Sequence, residues 1–81
     1  MAHYVYKLVP AQTFASNWDE RPTATEQLER FLAGEGEAGW HYPAEAVTIK
    51  IWATGSGERH KHASLAPAHG GTHILATKRL R

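Results

Sequence analysis

Gly36-Glu37-Ala38-Gly39-Trp40 sets two glycines and a large aromatic directly behind a helical pattern, and so dictates where a helix must stop. Glycine enters the left-handed region without steric cost, so Gly39 is expected just past the helix end, with Trp40 turned back onto the helix as a core residue. Upstream, Thr23-Ala24-Thr25-Glu26 has the spacing of a capping box, in which the threonine hydroxyl and the glutamate carboxylate satisfy free backbone donors of the first turn. Between these signals Leu28, Phe31 and Leu32 recur at the three-and-four spacing of one helix face, leaving Glu26, Glu29, Arg30 and Glu37 to water. Gly34 and Gly36 fall in the last turns, where each costs up to about 1 kcal/mol relative to alanine. Close approach to a sheet is the expected compensation, which makes Gly36, Gly39 and Trp40 the structural residues of the helix end.

Residues 4–9 alternate Tyr4, Tyr6 and Leu8 with Val5, Lys7 and Val9, the period of a strand, and Pro10 closes the run. Residues 11–22 read as a loop from which Phe14 and Trp18 dip back to the core. After a His41-Tyr42-Pro43 turn, Val47, Ile49 and Ile51 alternate with Thr48, Lys50 and Trp52 in the clearest strand of the chain, broken by Thr54-Gly55-Ser56-Gly57. Residues 58–71 read as a histidine-rich loop, and 72–80 as a last strand.

The order strand, helix, strand, strand predicts an α+β fold, β-α-β-β, with one helix packed on one face of a three-stranded, mainly antiparallel sheet. Tyr6, Leu8, Ile49, Ile51, Ile74 and Ala76 are expected under the helix. Val5, Val9, Trp52 and Leu75 are then left on the uncovered face, a patch of the kind that marks an interaction site. A homo-oligomer, dimer or tetramer, is the expected way of covering it, with another protein as the alternative partner.

A chain of 81 residues bounds this to a single domain over 1–81. It contains no cysteine, so it has no disulfide and no thiolate nucleophile. It shows no secretory signal pattern and no apolar run long enough to cross a membrane. A cytoplasmic protein is expected from these features.

Tyr4-Val5-Tyr6-Lys7-Leu8-Val9, Leu28 and Leu32, Gly36-Glu37-Ala38-Gly39-Trp40 and Ile74-Leu75-Ala76-Thr77-Lys78-Arg79 together resemble a family of short bacterial domains. That family is catalogued as a domain of unknown function, number four-one-seven-seven, and the resemblance spans nearly the whole chain. It implies the same β-α-β-β order and brings no catalytic residue. The chain departs from the family pattern at His41-Tyr42-Pro43 and in the long stretch between Gly55 and Gly71.

Four histidines offer the first candidate chemistry. His60, His62, His69 and His73 could present four ring nitrogens to a tetrahedral zinc, although Gly70-Gly71 argues against a helix joining the last two. For catalysis, Asp19 and Glu20 point apart if extended, Ser56 lacks the frame of a nucleophile elbow, and Glu58 with His60 is the remaining acid–base pair. For single-stranded nucleic acid, Tyr4, Tyr6 and Trp52 would form a platform rimmed by Lys7, Lys50, Lys78, Arg79 and Arg81. A net charge of +1 offers little counterion release and weighs against that. The expectation is a non-enzymatic binding or assembly module, without cofactor, that self-associates through its sheet; the alternatives are zinc binding by the histidine loop and single-strand binding.

Overall fold

A computed structural model of the chain describes residues 3–16, 21–56 and 61–80. One helix, α1 (Ala24–Glu37), accompanies five strands: β1 (His3–Pro10), β2 (Gln12–Ala15), β3 (Val47–Ala53), β4 (Lys61–Pro67) and β5 (His73–Leu80). The fold is α+β, as the sequence predicts, with two strands more than expected. β2 lies in the stretch read as a loop over 11–22, and β4 in the stretch read as a histidine loop.

The strands form two antiparallel sheets, a two-stranded ribbon β1-β5 and a three-stranded sheet in the order β2-β4-β3. The ribbon runs from His3 opposite Leu80 to Pro10 opposite His73. The Ala11 N–H donates to the Thr72 carbonyl at 2.9 Å, continuing the ladder toward the second sheet. A molecule 52 × 26 × 16 Å in extent results.

Both ends of α1 are local devices. At the start, the Thr23 hydroxyl accepts from the Glu26 N–H at 3.3 Å and donates to the Glu26 carboxylate. A second cap adds to it: the Ser16 hydroxyl, buried at the end of β2, accepts from the Ala24 N–H at 2.8 Å and ties the sheet to the helix. At the other end the Trp40 N–H reaches the Glu35 carbonyl at 2.9 Å and the Gly39 N–H reaches Gly36 at 3.0 Å. Those two bonds make a Schellman motif, with Gly39 at φ +93 in the left-handed region, as expected.

Gly34 and Gly36 behave differently from the expectation, since a β-carbon built at either meets nothing within 4 Å. No close approach to the sheet compensates them. Gly34→Ala and Gly36→Ala should therefore each raise stability by about 0.5–1 kcal/mol, read as a higher urea midpoint at unchanged slope. A lower midpoint for either variant would contradict the open surroundings.

The helix packs over β4 and β2. Beneath it Ala24, Leu28, Ala63, Leu65 and Ile74 form the buried cluster, flanked by Phe14, Phe31, Leu32, Tyr42 and Val47. Of the six residues expected under the helix, only Ile74 and Ala76 are buried. Register explains part of the difference, because Ile74 lies opposite Val9 and Ala76 opposite Lys7, so even positions on β5 share a face with odd positions on β1. Val9, expected on the uncovered side, is accordingly only 5% exposed, while Tyr6 and Leu8 lie outside. Ile49 and Ile51 do share the face of Leu65 and Ala63, their register partners, but β3 lies beyond the helix and leaves both exposed.

Candidate functional site

The ribbon has two unlike sides, and strand alternation decides what each carries. On the helix side are Val5, Lys7 and Val9 with their partners Lys78, Ala76 and Ile74. On the other are Tyr4, Tyr6 and Leu8 with their partners Arg79, Thr77 and Leu75.

The helix side is anchored by charge. The last turn of α1 contains Glu35 and Glu37 and no base, an unfavourable arrangement at the negative end of the helix dipole. The ribbon supplies the missing cations. Lys7 Nζ lies 2.7 Å from Glu35 Oε1 and 3.0 Å from Oε2, with side-chain exposures of 34% and 15% for the two residues. The Tyr42 hydroxyl donates a short hydrogen bond to the same carboxylate. Burial pushes the Glu35 carboxyl up, but the hydrogen bonds from Lys7 and Tyr42 and the charge of Lys7 outweigh it, and its pKa ends below the ordinary value. Burial and the hydrogen bond to Glu35 raise the Tyr42 phenol far above its usual range.

Trp40 completes this anchor rather than entering the core. Its half-buried ring lies 4.5 Å from Lys7 Nζ and 5.7 Å from Lys78 Nζ, within reach of both ammonium groups. The expectation of a core tryptophan is corrected: the Schellman turn directs the ring toward the ribbon, and the cluster under α1 is filled without it. The segment continues along the outer edge of β5, where His41 and Thr77 exchange two backbone hydrogen bonds of 2.7 and 3.1 Å.

The other side of the ribbon has no such cover among the described residues. Tyr4 is 52% exposed, Tyr6 62%, Leu8 66% and Leu75 49%. Four large apolar side chains on adjacent strands form a continuous patch. Of the interface residues expected from the sequence, Leu75 belongs to this patch. Val5 faces the helix side at the ribbon's end, Val9 is buried, and Trp52 lies on the second sheet, stacked on His62 at 5.4 Å between ring centres.

The expected zinc constellation does not assemble. His60 lies outside the described residues. His62 is near the start of β4, whereas His69 and His73 lie beyond its far end, about 17 Å or more away along an extended strand. His62 instead approaches the Thr54 hydroxyl at 3.4 Å, and His73 the Thr72 hydroxyl at 2.8 Å. Among the described residues no group of three or more His, Asp or Glu is placed to hold a metal. Asp19, Glu20 and Glu58 also lie outside the described residues, and Ser56 is exposed beyond the end of β3.

The basic rim expected around Tyr4 and Tyr6 is divided as well. Lys7 and Lys78 turn to Trp40 on the opposite side, and of the ribbon's cations only Arg79 shares the tyrosine side. No described helix is long and apolar enough to cross a membrane. The chain matches no protein-family model, no curated protein and no solved structure.

Proposed function

We propose that this chain is a small binding or assembly module, without catalytic activity of its own, that self-associates through the β1-β5 ribbon. One observation carries the reading: Tyr4, Tyr6, Leu8 and Leu75 form an apolar patch on the side of the ribbon turned away from the helix. A two-stranded ribbon is marginal by itself in water, and joining it to further strands stabilises it. A near-neutral chain, net charge +1, brings little repulsion to a meeting of two copies. The resemblance to the family of domains of unknown function belongs to the same proposal, supported by the Gly36 to Trp40 segment that closes the helix as the motif implies.

Leu8→Glu tests the reading. Leu8 contributes little to the monomer's core at its exposure, so the variant should keep its far-ultraviolet circular dichroism while its mass by light scattering at micromolar concentration falls from oligomer to monomer. A parent protein that is already monomeric at that concentration would sink the proposal.

A further inference from the structure

The free edge of β1 says how two copies would meet, an inference that rests on the self-association just proposed. In an antiparallel pair, residues alternately direct both N–H and C=O toward the neighbouring strand or away from it, and opposed residues do the same. Thr77 uses both groups on His41, at the outer edge of β5, so Thr77 and the opposed Tyr6 both turn away from the β1-β5 ladder. By alternation Tyr4 and Leu8 turn away too. The inward bond from Ala11 to Thr72, five residues from Tyr6 along the same ladder, has the opposite parity and agrees.

Tyr4, Tyr6 and Leu8 thus present exposed apolar side chains together with unpaired backbone donors and acceptors, at an edge that no strand covers among the described residues. The usual devices that blunt an edge are missing. No bulge interrupts the register from His3 to Pro10, the one proline is the last residue of the strand, and the one lysine is held by Glu35. On β5, by contrast, His41 already occupies the outer edge at Thr77.

We propose that β1 pairs antiparallel with β1 of a second copy about a two-fold axis through Tyr6, joining the two ribbons into one four-stranded sheet. This register uses all three outward residues: Tyr6 meets its own counterpart, and Tyr4 meets Leu8 in both directions. Each of these three pairs exchanges two backbone hydrogen bonds, roughly six in total. On the helix side the same register sets Lys7 opposite Val5 rather than against a second Lys7, so no like charges face each other. Pairing identical edges about a two-fold axis closes at two copies and leaves no β1 edge over for a third.

A chain without cysteine makes single-cysteine variants clean probes. In this register the Cα atoms at position 6 lie about 5.5 Å apart, within the disulfide range. Those at position 75 are separated by three strand spacings and, because Leu8 faces Tyr4 of the second copy, by four residues along the strands, about 19 Å in all. Under mild oxidation Tyr6→Cys should form a covalent dimer at least tenfold faster than Leu75→Cys. In the unmodified protein, the amides of Tyr4, Tyr6 and Leu8 should gain hydrogen-exchange protection with rising concentration. If Leu75→Cys links as fast as Tyr6→Cys, or if those three amides stay unprotected in a protein that is oligomeric by light scattering, edge pairing is overturned and self-association stands. A monomer by scattering overturns both.

Discussion

Replacing Leu65 by alanine is expected to cost about 2–5 kcal/mol, with Ile74 the largest loss of any single truncation among the described residues. Leu65 is fully buried on the central strand β4, between β2 and β3 and beneath α1, and is one of the two largest side chains with no exposure. Removing three carbon atoms there leaves a void on which strands and helix cannot easily collapse. For a domain of 81 residues, total stability is roughly 4–12 kcal/mol, so the loss is a large fraction of the whole. Urea denaturation gives the measurement. Ile51→Ala is the control, because Ile51 shares the face of Leu65 but lies outside the helix's cover and should cost less than about 1 kcal/mol. Equal midpoints for the two variants would show that β4 is not the core strand.

Acid should weaken the molecule through Glu35. A carboxyl whose folded-state pKa lies below its unfolded value contributes stability that is present above the unfolded value and lost as pH falls through the folded one. For Glu35 that loss begins as pH drops below the ordinary 4.5. Tyr42 works in the opposite sense: its raised pKa gives stability present below the unfolded 10.0 and lost as pH climbs above it. Glu35→Gln keeps the shape but removes the charge that holds Lys7. It should cost about 1–2 kcal/mol at pH 7, since the pair is partly solvated, and the gap from the parent should narrow as pH falls below 4.5. A gap that is constant from pH 3 to 7 would mean that the carboxylate contributes shape and not charge.

How much of this was legible follows from how far each interaction reaches along the chain. The capping box at Thr23 and the left-handed Gly39 are settled within a few residues, and both stand where the sequence put them. β3 and β5 were legible for the same reason, through dense branched side chains at period two. β4 was hidden because its buried face is Ala63 and Leu65, too small and too few to stand out between histidines, although their alternation with His62, Ser64 and Ala66 was there to be read. The sides of the strands were not legible, because the register of β1 on β5 is decided across the whole length of the chain. The Lys7, Glu35 and Trp40 anchor escaped for a related reason: a lysine on a strand and a glutamate on a helix carry no local mark of their pairing.

The ribbon that offers the open edge is built from the earliest and the latest described strands. Closing so long a loop is entropically slow, whereas α1 and the β3-β4 hairpin need only near neighbours. During synthesis β1 therefore waits, unpaired and rich in tyrosine and leucine, until β5 has left the ribosome. Premature meeting of two β1 segments is the hazard inherent in this order, and Lys7, the one formally charged residue of β1, is what the strand itself sets against it.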